Sequence, residues 1–402
     1  MLALATACSS EDPVIMPEAQ SELPMTYHVS TNEALKIAEH YLGTLQEPQT
    51  RSKTRKVQDI DIVCGNPATR GTGTDTLLYV INYQDEQGFA IVGADTRAMP
   101  IYAMSDTGNF QLDENSNEGL KVFFEKAKQD AAKRIASDQV SFQDPLQNAG
   151  IGLPELYDDI SPMISKHQSR IGPTEEYYKF VVNDKGEPAR TCCVPIGVEI
   201  FMSYHKWPQS LEGYTFNWDK MNAGNDDDGI ARVLAILSDK KYFHVTGNDS
   251  VYNGGVALSN LVPGLRKCQY ALPYTSYSSL PTFTTAKVDN EIHELLKTNG
   301  PLLVEGRSSK FRNNGHLWVI DGLKQCHKLV GTGTLAKMEL FDMYHCVWGD
   351  NGRSNGYYLA EGNFFDESPD AFDPIDNGEV ETNWEWRYYG AVAYFKNLKP
   401  NK

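Results

Sequence analysis

At 402 residues, with 41% hydrophobic and 22% charged side chains, the chain has ordinary globular composition and enough length for two or three domains. A formal net charge of −16 speaks against nucleic acid as a partner, because phosphates would be repelled. Beyond the N-terminus no run approaches 18 apolar residues, which speaks against a membrane-spanning helix.

The chain opens MLALATACSSED. A short apolar run ending in Ala-Cys, then polar and acidic residues, reads as the tail end of a signal peptide over residues 1–8. LATAC resembles a bacterial lipobox, so Cys8 is expected to be lipidated. The chain is then exported and held at a membrane surface through that lipid anchor only. Residues 9–25, rich in Pro, Ser and Glu, read as a flexible tether. A first domain is expected over 26–145. STNEALKIAEHYLGTL opens with a capping-box signal at Ser30 or Thr31 and continues with helical spacing. TLLYVINYQDEQGFAIVGAD reads as two strands around an acidic turn, IYAMSDTGNF as another short strand, and NEGLKVFFEKAKQDAAKRIA as an amphipathic helix. This is a small α+β unit. Residues 146–165, with Gly150, Gly152, Pro154 and Pro162, lack strong periodicity and read as a linker.

The second domain is expected over 166–402. ARTCCVPIGVEIFMSYHKWP and GIARVLAILSDKKYF read as helices, followed by the strands PLLVEG, HLWVIDGLKQ, MELFDMYHCVWG, GYYLAEG and YYGAVAYF. Helices first and antiparallel strands later make an α+β class with the two kinds of element segregated. Val194, Val198 and Phe201 share one helical face, and Pro195 suits a first turn, where its missing N–H costs nothing. Cys193 therefore falls at or beside a helix N-terminus, where the dipole favours a thiolate. Such a thiolate is a nucleophile in need of a histidine. His316 stands after the turn-like Asn-Asn-Gly and at the start of an apolar strand; His345 and His205 are the alternatives. Cys64, Cys268, Cys326 and Cys346 do not form a disulfide framework with the vicinal pair. Cys326-His327 and His345-Cys346 match no zinc spacing, and GNDDDG lacks the ligand spacing of an EF-hand. No metal or cofactor is expected.

These residues carry a family resemblance. Cys192-Cys193-Val194-Pro195-Ile196-Gly197, followed by Tyr204-His205-Lys206-Trp207-Pro208, resembles the Gly-Cys-Val-Ala-Thr-Ala and Tyr-His-x-x-Pro pattern of the streptopain family of papain-like cysteine peptidases. Asn314-Gly315-His316-Leu317-Trp318-Val319-Ile320-Asp321-Gly322 is similar to the family's Gly-Gly-His-Ala-Phe-Val-Ile-Asp-Gly. Val347-Trp348-Gly349-Asp350-Asn351-Gly352-Arg353-Ser354-Asn355-Gly356-Tyr357 resembles its Asn-Trp-Gly-Trp-Gly-Gly-x-x-Asn-Gly-Tyr. The hairpin of the first domain resembles the family's prodomain.

The resemblance implies a papain-like peptidase domain over 166–402 preceded by an α+β prodomain. It implies a zymogen of a cysteine endopeptidase, secreted or surface-anchored, that takes polypeptide substrates and is covered by its own prodomain until the linker is cut. It also implies Cys193 as nucleophile, His316 as its partner, the Gln168 side chain as oxyanion donor and Trp348 as a shield of the pair. An apolar substrate side chain is implied two residues before the cut. Where the family has asparagine beside the motif tryptophan, this chain has Val347. Asp350 and Asn351 replace a tryptophan and a glycine, and either is a candidate to support His316. Pro195-Ile196-Gly197 and Cys192 also depart from the pattern. Two readings follow: an endopeptidase with an adapted site, or a catalytically impaired peptidase-fold lipoprotein that binds protein or peptide. The stretch 363–386 has weak family resemblance, and the sequence leaves its role open, a loop that reshapes the cleft being one reading.

Overall fold

The computed structural model describes residues 27–45, 55–65, 76–113, 116–137, 156–250, 253–274, 276, 288–308, 315–330, 337–360, 390–395 and 398–401. Cys8, the tether and the stretch 363–386 lie outside the described residues, as does the first half of the expected linker, 146–155. Among the described residues, no helix is long and apolar enough to cross a membrane.

The N-terminal part begins with α1 (Thr31–Gly43). Its capping box closes as the sequence predicts: Ser30 Oγ accepts from Glu33 N–H, and the Glu33 carboxylate accepts from Ser30 N–H at 2.7 Å. Ala34, Ile37, Ala38, Tyr41 and Leu42 then fall on one buried face. Strands β1 (Val57–Cys64), β2 (Thr76–Tyr83), β3 (Phe89–Gly93) and β4 (Ile101–Ser105) form an antiparallel meander. Helix α2 (Glu118–Ala136) is capped by Asn117, whose Oδ1 accepts from Leu120 N–H at 2.8 Å.

Strand β5 (Leu156–Ile160) lies inside the stretch read as a linker. After it come α3 (Glu175–Tyr178), α4 (Cys193–His205), the short pair β6 (Ser210–Leu211) and β7 (Tyr214–Thr215), α5 (Trp218–Asn222) and α6 (Asp227–Ser238). The pair β8 (Thr246–Asn248) and β9 (Asn253–Gly255), α7 (Leu261–Lys267), β10 (Tyr270–Ala271) and α8 (Val288–Asn299) complete the helical half. The sheet half holds β11 (Leu302–Ser308), β12 (Gly315–Val330), β13 (Lys337–Val347), β14 (Gly356–Leu359) and β15 (Gly390–Tyr394), with β16 (Lys399–Pro400) returning to β10. The acidic run GNDDDG is the start of α6: Asp226 Oδ1 caps Gly229 N–H at 2.9 Å, so the carboxylates meet the positive end of a helix.

The sheet runs β1-β2-β3-β4-β14-β13-β12-β11-β15, with β5 pairing β12 off that path. Strand β4 pairs β14 through Ala103↔Tyr358 and Met104↔Tyr357, so the N-terminal sheet continues directly into the C-terminal one. The period-2 alternation of β12 then divides two cores. Trp318 and Ile320 face a core shared with α1, α2 and β2–β4. Leu317 and Val319 face the core that surrounds α4 and α6.

Candidate active site

Cys193 is the first residue of α4, and its side chain is half-buried. Every residue from Val194 to Ser203 is buried, so the helix is locked between β12 and α6 and its N-terminus is rigid. Cys192, the N-cap, is extended at φ −132°, a conformation any residue adopts, so the position needs no glycine. Its side chain packs into the second core. The Cys192 thiol hydrogen-bonds the Cys193 sulfur and is the largest influence holding Cys193 well below the ordinary thiol range. Burial opposes that shift; the hydrogen bond and charge of His316 and the Leu317 N–H reinforce it. Cys192 itself is driven well above the ordinary thiol range by Cys193 and by burial, so it stays protonated. The two vicinal thiols are thus split into one thiolate and one donor.

His316 stands at the start of β12 and is 6% exposed. Its Nε2 lies 2.8 Å from the Trp348 carbonyl oxygen. A carbonyl only accepts, so Nε2 carries a proton and Nδ1 is the nitrogen left for Cys193. Burial pushes the imidazole down, but the hydrogen bond and charge of Cys193, the Trp348 carbonyl and the charge of Asp350 together raise it above the ordinary histidine value. The ring is stacked with Trp318 (centroids 6.2 Å, planes 12° apart) and lies 6.1 Å from Trp348.

The second ring nitrogen of His316 is therefore held by main chain. Val347 is fully buried in the second core, opposite Val319 in the ladder, and contributes only packing. Trp348 is held from its other side: Asn355 Oδ1 accepts from Trp348 N–H at 3.0 Å, and Asn355 Nδ2 donates to the Ser169 carbonyl at 2.7 Å. One amide thus ties the histidine's acceptor to the turn that carries Gln168. Neither Asp350 nor Asn351 takes the ring nitrogen. Asp350 accepts from Arg353 Nη2 at 2.9 Å and acts on His316 by charge, while Asn351 packs against Gly172.

Gln168 opens a 3₁₀ turn (Gln168–Arg170) and is fully buried. The turn is anchored upstream by Asp321, whose Oδ2 accepts from Met163 N–H at 3.0 Å and from Ile164 N–H at 2.8 Å. The other oxygen of Asp321 lies 2.6 Å from His345 Nδ1, so His345 belongs to this anchor. The Gln168 side chain hydrogen-bonds Glu199 on α4. His205 closes α4, packed on Phe201 and Tyr204 and away from its N-terminus. Sequence reasoning passed over Asp321, Glu199 and Asn355. Asp321 and Asn355 stand inside quoted motifs, and a lone acid in the apolar run of α4 was the available signal for Glu199.

The departures Gly197 and Leu317 compensate each other. A Cβ on Gly197 would overlap Leu317 Cδ2 and come within 3.2 Å of the Leu317 carbonyl oxygen. The family pattern has alanine at both places, so volume has moved from helix to strand. Gly197→Ala is predicted to cost about 1–3 kcal/mol by overpacking, and Leu317→Ala in the same chain to restore most of it. Urea unfolding of the single and double variants checks this; strictly additive losses would refute it.

The N-terminal domain reaches the site through α2. A Cβ on Gly119, in the first turn, would lie 2.8 Å from Trp348 Cζ3 and 3.3 Å from His316 Cδ2. The start of α2 therefore lies directly on the histidine and its tryptophan.

Residues 26–131 match the family of Spi protease inhibitors, and residues 230–358 match the Peptidase C10 family. The second match includes His316 and Trp348; Cys193 and Gln168 precede it. The chain is 23% identical over 322 residues to the thiol protease/hemagglutinin PrtT of Porphyromonas gingivalis, covering 71% of this chain. It spans about a third (34%) of the length of that relative. Its fold is similar to that of a fragment of Prevotella intermedia prointerpain A, at a TM-score of 0.51 and 15% identity, covering 85% of this chain and 98% of that one. The chain thus carries a segment of the Peptidase C10 type behind an N-terminal segment of the Spi protease inhibitor type.

Proposed function

We propose that this chain is a self-inhibited cysteine endopeptidase, exported and anchored through a lipid on Cys8, that hydrolyses polypeptides with Cys193 and His316. The observation that carries the reading is the polarised pair: a depressed thiol at a helix start facing an imidazole whose second nitrogen is held by the Trp348 carbonyl. The Cys193 thiolate attacks the scissile carbonyl carbon, and the carbonyl electrons move to oxygen. The resulting oxyanion is received by the Cys193 N–H and the Gln168 amide, each donor contributing about 2.7–4 kcal/mol to the transition state. The intermediate collapses to a thioester as the His316 imidazolium gives its proton to the leaving amine. Water then attacks the thioester, with His316 taking its proton, and the thiolate leaves.

Self-inhibition is supported by the contact of α2 with His316 and Trp348 and by the match of residues 26–131 to Spi inhibitors. Activation is assigned to a cut between α2 and β5, within residues 138–155. Such a cut leaves the β4–β14 ladder and the shared core in place, so release of the inhibitory domain needs a further step.

Incubating the full chain with a denatured protein, followed by mass spectrometry, tests the reading. Cleavage within 138–155 and of the added protein is predicted, both stopped by alkylating Cys193. A full-length chain that stays intact and cuts nothing would overturn it. The anchor is tested separately in the bacterial host, where the peptide beginning at Cys8 is expected to carry a diacylglycerol mass in the membrane fraction and to lose it in Cys8→Ala.

A further inference from the structure

We infer that Asn355 is the positioning residue of both halves of the site: one arm of its amide sets the acceptor of His316, and the other sets the turn that carries Gln168. The inference rests on the peptidase reading, in which His316 and Gln168 serve one reacting carbonyl. Asn355 stands directly before β14 and is 9% exposed. Its Oδ1 accepts from Trp348 N–H at 3.0 Å, and its Nδ2 donates to the Ser169 carbonyl at 2.7 Å, across 186 positions of chain. Those partners settle which end of the amide is which. Turned over, Nδ2 would face an N–H and Oδ1 would face a carbonyl, and neither contact is a hydrogen bond.

Each arm ends one residue from a working group. Trp348, held at its N–H, presents its carbonyl to His316 Nε2 at 2.8 Å. Ser169 directly follows Gln168, in a turn whose main-chain bonds are local. Ser169 N–H donates to the Ser165 carbonyl at 2.9 Å, Arg170 N–H to that of His167 at 3.0 Å and Ile171 N–H to that of Gln168 at 3.1 Å. These bonds set the shape of the turn and not its distance from His316. Asp321 anchors the chain upstream, and His167 Nε2 lies 2.7 Å from Asp227 Oδ1 on α6. The Asn355 Nδ2 bond instead joins the turn to the segment that holds the histidine's acceptor. Gly349, Asn351, Gly352 and Ser354 of that segment all have positive φ, and the chain doubles back so that Asn355 returns beside Trp348. Geometry of this kind matters to rate, since misplacing an orienting group by about 1 Å costs on the order of a hundredfold.

Two variants separate the arms. Aspartate at 355 still accepts from Trp348 N–H but has no N–H for Ser169, and leucine has neither. On the full chain, alkylation of Cys193 against pH reads the His316 arm without turnover. The Trp348 carbonyl raises His316, and the charge of His316 lowers Cys193. Asn355→Leu is therefore expected to move the onset of the alkylation fall to higher pH by at least about half a unit, while Asn355→Asp keeps a level rate through mildly acidic pH. Hydrogen exchange of the peptide spanning 165–171 reads the other arm, also without turnover, and is expected to quicken at least about tenfold in both variants. On the self-processed chain, kcat is expected to fall at least about tenfold in Asn355→Asp and further in Asn355→Leu, with KM within about threefold of the parent. The nearly isosteric aspartate variant carries the test if the leucine variant does not fold. Variants that unfold at lower urea but keep the parent's kcat and alkylation profile would make Asn355 a residue of stability alone and overturn the inference. Parental kcat in Asn355→Asp, or unchanged exchange over 165–171, overturns it as well. Alkylation and exchange that move as expected in a chain without turnover, parent included, uphold the positioning and overturn the peptidase reading instead.

Discussion

Cys193→Ala is expected to abolish peptide hydrolysis, a loss of at least about a thousandfold, because the step that forms the thioester has no substitute. Cys192, adjacent in sequence, does not rescue it: the helix packing buries its side chain, and its thiol is held protonated. Alkylation separates the two sulfurs without reference to turnover. An ordinary thiol near 8.5 loses reactivity about tenfold for each pH unit below that value. Cys193, held well below that range by Cys192, His316 and the Leu317 N–H, is expected to keep a level rate down through mildly acidic pH and to fall only below its own depressed value. The slope decides, since the absolute rate also reflects access. His316→Ala removes the hydrogen bond and the charge, and is expected to shift the onset of the fall to higher pH. Alkylation that tracks an ordinary thiol in the parent chain would remove the polarised pair and the proposed function with it.

Asp321→Ala is expected to have the largest effect on stability, about 3–5 kcal/mol, as for one partner removed from a buried polar pair. It leaves the N–H groups of Met163 and Ile164 without their side-chain acceptor and strips His345 of its carboxylate. These contacts anchor the chain just before Gln168, so the residual folded enzyme is also expected to lose kcat more than it raises KM. Urea unfolding and steady-state kinetics read the two effects. A stability change under about 1 kcal/mol would show that water replaces the carboxylate and that the anchor carries little weight. Asp321 touches neither Cys193 nor substrate in this account, so an effect on kcat reports position alone.

Much of the local architecture was legible. The capping box at Ser30 and Glu33 sets α1 through contacts three residues apart. The strand-turn-strand pattern around Asp85 to Gly88 sets β2 and β3, and Asn-Asn-Gly before His316 marks the start of β12. Strand β1 was not legible: Ile60, Ile62 and Val63 stand among polar residues, and it is pairing with β2 that makes the segment a strand. The acidic run GNDDDG gave no helix signal, because composition does not say whether a helix start lies beside it. Strand β5 looked like linker for the same reason, since its order comes from β12.

The site divides in the same way. Cys193 at a helix start and His316 at a strand start follow from neighbours a few residues away, where sequence and geometry are tightly linked. What supports them does not. Val347 has no group to hold the ring; the Trp348 carbonyl lies 2.8 Å from His316 Nε2 instead, and a main-chain group leaves no trace in residue identity. Gly197 departs from the family pattern for no reason visible nearby; the reason is Leu317, 120 positions away in the chain and packed against it. Glu199 is a lone acid in an apolar run, and folding buries it as fully as Gln168. Short-range propensity and spacing were enough to give the helix of Cys193, the strand of His316 and the order of the motifs. Which atoms hold the His316 ring, the Gln168 turn and the start of α2 came from the folded chain alone, because those contacts join segments far apart in the chain and depend on burial.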